Sequence, residues 1–141
     1  MLIIIPCGSK KRLEPSPARD LYLGAQFRMT LRAAEALQVA AGGRIMILSG
    51  LHGLLELDQV VEPYEQRMGK PGCVSVEQLR AQAVAMGLEL AEDVTVLAGK
   101  EYSEAARAVW PAISTPLAGL GGIGYQRQAL ARIIREGKLP E

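Results

Sequence analysis

The run Leu2-Ile3-Ile4-Ile5, closed by Pro6, constrains the fold more than any other feature of this chain. β-Branched side chains favour extended backbone, and an apolar run without polar alternation suits a strand buried on both faces. Such strands belong to parallel sheets that carry helices on each side. Arg44-Ile45-Met46-Ile47-Leu48 and Val94-Thr95-Val96-Leu97-Ala98 have the same character, and Ala112-Ile113-Ser114 reads as a short fourth strand.

Helical patterns separate these runs. Phe27, Leu31, Ala34, Leu37 and Ala41 fall on one face of a helix over about 24–40, which Gly42-Gly43 stops. Ser75 with Glu77 starts a second helix, continued by Leu79, Ala83, Met86 and Leu90. A short helix over 102–109 is closed by Pro111, and a last one carries Leu130, Ile133 and Ile134 to Gly137. Residues 56–72 show no period and contain Pro63, Gly69, Pro71 and Gly72, so they form a long connection of the functional or mobile kind. The alternation predicts an α/β fold in three layers, a four-stranded, mainly parallel sheet with helices on both faces joined by right-handed crossovers. A chain of 141 residues accommodates one such core, so residues 1–141 are expected to form a single domain.

Composition narrows the setting. The formal net charge is +1, too small for a protein that grips duplex DNA by bulk electrostatics, so any nucleic-acid contact must be local. The apolar N-terminus is too short for a signal sequence and lacks a basic lead, and no segment is long enough to cross a bilayer. The two cysteines, Cys7 and Cys73, do not make a disulfide framework, and a reducing cytoplasm fits that usage. With one histidine and two distant cysteines, no metal-ligand spacing exists. The oligomeric state is not encoded in any pattern of the chain.

Ligands of open parallel sheets bind beyond the carboxyl ends of the strands. There the chain places Cys7-Gly8-Ser9-Lys10-Lys11, Ser49-Gly50-Leu51-His52-Gly53, Gly99-Lys100-Glu101-Tyr102 and the Gly-rich stretch 114–124. In the first loop Gly8 permits close backbone approach, Ser9 supplies a hydroxyl, and Lys10 and Lys11 supply positive charge for a phosphate or carboxylate. The bland alternative is a solvated turn with two surface lysines. The Walker A spacing is absent, and Gly119 to Gly124 lacks the setting of a dinucleotide fingerprint, so no cofactor is assigned. A backbone nest for an anion at the last helix is the better reading of that stretch.

Cys7 reads either as a thiol nucleophile or as a small residue lining the site. Asp20, next to Arg19, suits a helix cap, an acid or base, or a group that binds a sugar hydroxyl. Tyr22 and Phe27 offer faces for stacking or for the core. His52, the sole histidine, is structural or serves as acid, base or donor. Pro63-Tyr64 closes over a ligand or packs. The candidate catalytic pair is Asp20 and His52. The candidate ligand-binding set is Cys7, Gly8, Ser9, Lys10, Lys11, Arg19, Tyr22, Ser49, Gly53, Tyr64, Gly99 and Lys100.

Taken together, Pro6-Cys7-Gly8-Ser9-Lys10-Lys11, Pro17-Ala18-Arg19-Asp20-Leu21-Tyr22, Leu48-Ser49-Gly50-Leu51-His52-Gly53-Leu54, Pro63-Tyr64, Ala98-Gly99-Lys100-Glu101-Tyr102 and the segment 116–124 carry a resemblance. The chain resembles a family of small bacterial and phage proteins, distantly similar to YaaA-like proteins and to a domain of archaeosine synthase. That resemblance implies a uracil-DNA-glycosylase-like fold and a link to DNA or to deazaguanine-modified RNA, without a defined reaction. It points to Cys7, Gly8, Ser9, Lys10, Asp20, Tyr22, Ser49, His52 and Gly53 as the site. Gly50 departs from the Ala or other small residue expected there, a mild change by sequence.

Two functions follow as expectations. One is an enzyme acting on a nucleotide, a nucleobase or a modified base, with Asp20 near the sugar and His52 on the base of an N-glycosidic bond. The other is a non-catalytic module that binds nucleotide or nucleic acid through the lysine loop for a larger assembly. A metabolic enzyme on a small phosphorylated sugar is a further possibility for such a fold.

Overall fold

The computed structural model describes residues 1–140. Its centre is β1 (Leu2–Pro6), flanked by β3 (Arg44–Ser49) and β6 (Val94–Val96), and both pairings are parallel. Ile3 lies opposite Ile45 and Thr95, and Ile5 lies opposite Ile47. The four-stranded sheet is completed by β4 (Gly53–Glu56), which runs antiparallel to β3 and gives the order β4-β3-β1-β6. The sheet is therefore mixed.

The fourth strand is not the one the sequence suggests. Ser114 makes a single parallel bridge to Thr95, while Leu54 and Leu55, where the sequence suggests no strand, pair with β3. The reversal is local: the Ser49 hydroxyl accepts the backbone N–H groups of Leu51 and His52, and Gly53 takes φ of 72°, a conformation that glycine adopts without a Cβ penalty. The outer edge of β4 is blocked by Gln82, whose side-chain amide accepts from Leu54 N–H and donates to the His52 carbonyl.

Helices cover both faces. On one, α2 (Ala25–Ala41) and α5 (Ile123–Glu136) bring Phe27, Leu31, Leu37, Leu130 and Ile133 onto Ile3, Ile5, Ile45 and Ile47. On the other, α3 (Val76–Ala85) and α4 (Lys100–Arg107) bring Leu79, Ala83 and Ala106 onto Leu2, Ile4, Met46 and Leu48, with Trp110 alongside. The continuous apolar strand thus serves two cores, its odd residues facing one and its even residues the other. Removing a fully buried side chain such as Ile4 from it costs about 2–5 kcal/mol.

Ser75 and Gln78 form a reciprocal capping box at the start of α3. That helix ends at Ala85, earlier than the apolar spacing up to Leu90 suggests, and Gly87 follows with φ of 70°. The long connection after β4 is not irregular throughout. Within it β5 (Val60–Val61) pairs antiparallel with β2 (Ser16–Pro17), just before the short α1 (Ala18–Leu21). Met68 and Val74 are buried in the second core, so residues 62–74 lie as a strap across the sheet end. No described helix is long and apolar enough to cross a membrane.

Candidate functional site

A cleft of 610 Å³ opens where β1 ends. Its walls are Cys7, Gly8, Ser9 and Lys11 from the first loop, Glu65, Gln66, Arg67 and Lys70 from the strap, and Glu101 and Tyr102 from the first turn of α4. Pro6 finishes the strand, and the backbone N–H of Cys7 makes one further bond to the Leu48 carbonyl. The thiol of Cys7 therefore projects from a fixed position, with Sγ 3.3 Å from the Tyr102 hydroxyl.

The chain returns to this point at Tyr22. A bridge between Lys11 and Tyr22, with Arg12 N–H on the Leu21 carbonyl and Leu23 N–H on the Lys10 carbonyl, pins the loop over 11–23 as a closed excursion. The Lys11 ammonium then lies 4.5 Å from the Tyr64 ring centroid and 5.7 Å from that of Tyr22. It donates to the Ser9 carbonyl at 3.2 Å. Burial lowers the Lys11 pKa, against the pull of the Cys7 thiol and the Glu65 carboxylate, which raise it.

Behind Lys11 three hydroxyls form a chain. Ser49 Oγ donates to the Tyr64 oxygen at 2.6 Å, and the Tyr64 and Tyr22 oxygens are 2.5 Å apart. Burial first, and the Cys7 thiol in addition, hold the Tyr22, Tyr64 and Tyr102 phenols above their ordinary range, so all three keep their protons at neutral pH.

Of the sequence candidates, Cys7, Gly8, Ser9 and Lys11 line the cleft, while Tyr22, Ser49 and Tyr64 form the hydroxyl chain next to it. The His52 ring meets Tyr64 edge-on with centroids 5.0 Å apart and is exposed. Asp20 is not among the cleft residues; it lies within α1, whose N-cap is Pro17, so it does not cap that helix. Arg19 pairs with Asp58, with Nε 3.1 Å from Oδ1, rather than with its neighbour Asp20. Lys10 and Lys100 are exposed and do not line the cleft, Gly99 is the N-cap of α4, and Gly53 serves the β3–β4 reversal.

Two glycines differ in what the protein packs against them. A Cβ on Gly8 would meet the Phe27 and Tyr22 Cβ atoms at 3.6 Å, an ordinary contact, so the space around Gly8 does not require glycine. A Cβ on Gly50 would lie 2.7 Å from the Gln66 carbonyl oxygen and 2.8 Å from Met68 N, both backbone atoms. The glycine at 50 is thus no mild change: the strap rests directly on it, and Val74 N–H bonds its carbonyl at 2.7 Å.

The sequence gives no pointer to Glu65, Gln66, Arg67 and Lys70 individually, and the candidate set leaves out Glu101 and Tyr102 although the segment 99–102 is placed at the same sheet end. The available signals were the strap's excess length and the placement of Glu101 and Tyr102 just after Gly99-Lys100 at a strand's carboxyl end. None of the ion pairs among the described residues involves Lys11, Arg67 or Lys70. The cleft therefore holds three cations outside any salt bridge among the described residues, beside the carboxylates of Glu101 and of Glu65, which acts on Lys11 at longer range. Among the described residues no group of three or more His, Cys, Asp or Glu side chains is placed to hold a metal ion.

A family described as of unknown function (DUF6884) matches residues 2–132. The chain belongs to this family. The DUF6884 match covers every strand and all of the cleft. An "Uncharacterized protein YfjM" of Bacillus subtilis (strain 168) is 34% identical over 147 residues, covering 96% of this chain and 95% of that one. A "UPF0246 protein" of Salinispora tropica is 35% identical over 95 residues, covering 62% of this chain and 36% of its own length. The similarity of this DUF6884 chain to YaaA-like proteins thus extends over part of it. No solved structure matches.

Proposed function

We propose that this protein binds a phosphate-bearing nucleotide in the cleft at the end of β1, as a free molecule or as a unit of nucleic acid. The observation that carries the reading is the convergence of Lys11, Arg67 and Lys70 on one cleft with no carboxylate partner among the described residues. Ammonium and guanidinium groups left open in a concave site take phosphoryl oxygens. Ser9 adds a hydroxyl, and Tyr102 a phenol whose ring offers a face to a base. The motif resemblance to YaaA-like proteins and to a domain of archaeosine synthase, with its uracil-DNA-glycosylase-like fold, supports a nucleobase as the other end of the ligand.

If the bound nucleotide is a substrate, the reaction that suits the site is cleavage or exchange at the N-glycosidic bond. A carboxylate stabilises the positive charge that develops on the sugar, and a donor meets the departing base. Glu65 and Glu101 line the cleft and Asp20 does not, so the acidic role falls to one of the two glutamates. The position of Asp20 and His52 outside the cleft lining favours the second reading, a binding module without chemistry.

One experiment separates these readings. The protein is titrated calorimetrically with the common nucleoside 5′-monophosphates and the matched nucleosides, and the mixtures are then analysed for free base. Binding of monophosphates in preference to nucleosides supports the cleft reading, and free base adds the enzymatic one. Binding without product supports the module. Equal or absent binding of both ligand sets contradicts the proposal.

A further inference from the structure

The hydroxyl chain behind Lys11 has a polarity that can be worked out proton by proton. Ser49 Oγ accepts backbone N–H groups from Leu51 at 3.2 Å and from His52 at 3.0 Å. Its lone pairs are then occupied, and its own proton goes to the Tyr64 oxygen at 2.6 Å. Only one proton fits between the Tyr64 and Tyr22 oxygens, 2.5 Å apart. One phenolic proton is therefore left without a protein acceptor among the described residues.

Burial decides which. Tyr22 has no exposed surface, and a donor left bare there bears the full desolvation penalty. Tyr64 is only partly buried. The favoured arrangement has Tyr22 donating to Tyr64, so that Tyr64 accepts from both neighbours and its own proton leaves by the remaining corner of the oxygen. Tyr64 borders the cleft without lining it: Lys11, a cleft residue, lies over its ring, and the ammonium carries N–H groups beyond the one given to the Ser9 carbonyl.

We infer that Tyr64 is a specificity-determining hydrogen-bond donor, held by Ser49 and Tyr22 to give its proton to a ligand phosphoryl oxygen that Lys11 also holds. This rests on the phosphate reading above and deepens it. A phosphoryl oxygen accepts both an ammonium N–H and a phenolic O–H, whereas a ligand group that only donates finds no acceptor in this pair. His52 packs edge-on against the same ring.

The test titrates the common nucleoside 5′-monophosphates and the matched nucleosides into wild-type protein, Tyr64→Phe, Tyr22→Phe, Lys11→Ala and the double variant Lys11→Ala/Tyr64→Phe. Tyr64→Phe should weaken monophosphate binding by about tenfold or more and leave nucleoside binding unchanged. Tyr22→Phe, which keeps the Tyr64 proton but removes one of the two groups that orient it, should weaken monophosphate binding clearly less than Tyr64→Phe does. The double variant should lose less than the product of the single losses, because both groups address one oxygen. Unchanged monophosphate binding in Tyr64→Phe overturns the inference, as does an equal loss in Tyr22→Phe, which would mean that the chain matters only for structure. If wild-type protein binds no monophosphate, the phosphate reading fails and this inference falls with it. Should Tyr64→Phe not fold, the proton spectrum of wild type replaces it. A new slowly exchanging phenolic signal on adding monophosphate is expected, and its absence overturns the inference.

Discussion

The loops that follow β1 and β3 leave the same end of the same sheet, side by side, and use similar residues for different ends. After β1, Cys7, Ser9 and Lys11 all face a cleft, and among the described residues their side-chain hydrogen bonds are few: Cys7 meets the Tyr102 hydroxyl and Lys11 reaches the Ser9 carbonyl. After β3, the Ser49 hydroxyl is committed to two backbone N–H groups and Tyr64, Gly50 lies under the strap, and Gly53 turns the chain back into β4. The difference teaches that position at a strand's carboxyl end does not by itself make a residue a ligand contact. What matters is whether its polar groups are already satisfied by the fold. The first loop turns polar groups into the cleft, and the second is scaffold for the strap that forms the opposite wall.

The largest test of this contrast lies in the two glycines. Gly50→Ala drives a methyl group into the strap backbone, where no side chain can give way, and should cost about 3 kcal/mol in chemical denaturation while weakening ligand binding. Gly8→Ala, with only ordinary contacts to Tyr22 and Phe27, should change stability by less than about 0.5 kcal/mol. Equal effects would erase the distinction between the loops. Next come the serines. Ser49→Ala leaves two N–H groups and the Tyr64 oxygen short of a partner and should cost about 2 kcal/mol. Ser9→Ala should be near neutral in stability and register only in ligand affinity.

Lys11 gives a smaller signal in stability, but one with a definite sign. Its pKa in the folded protein is lowered by burial, whereas in the unfolded chain it titrates as an ordinary lysine near 10.5. Between those two values the unfolded chain binds more protons at this group, so the Lys11 contribution to stability should rise with pH across that window and be flat below it, opposite in sign to the contribution of the three buried tyrosines above pH 10.0. Lys11→Met should remove this slope when denaturation is measured over the same pH range. The smallest effect belongs to His52. His52→Ala removes an exposed ring and one edge contact with Tyr64, and should change stability by no more than about 0.5 kcal/mol, with monophosphate binding kept. A loss of binding there would move the site toward the β3 loop.

What could be read from the sequence follows from how local each signal is. The strands β1, β3 and β6 announce themselves because burial on both faces demands uninterrupted apolar residues, as in Leu2-Ile3-Ile4-Ile5. The strand β4 is hidden: Leu54 and Leu55 are too few to show a period, and their pairing depends on the turn that Ser49 and Gly53 make. Lys11 and Cys7 were legible because they follow β1 directly. Glu65, Arg67 and Lys70 were not, since nothing in residues 62–74 records that Met68 is buried and that Gln66 sits on Gly50. Only tertiary contact brings the strap to the cleft. Asp20 shows the converse: its neighbours Arg19 and Tyr22 looked like one motif, yet Arg19 turns to Asp58, Tyr22 turns inward to Tyr64, and Asp20 is not among the residues that line the cleft.

The central claim is that the open cations of this cleft hold a phosphate-bearing ligand. Calorimetric titration of a nucleoside 5′-monophosphate into wild-type protein and into Lys11→Ala, at low and at moderate salt, tests it most directly. The account predicts saturable binding to wild type that weakens with salt and falls about tenfold or more in the variant. Binding of equal strength to both proteins would contradict it.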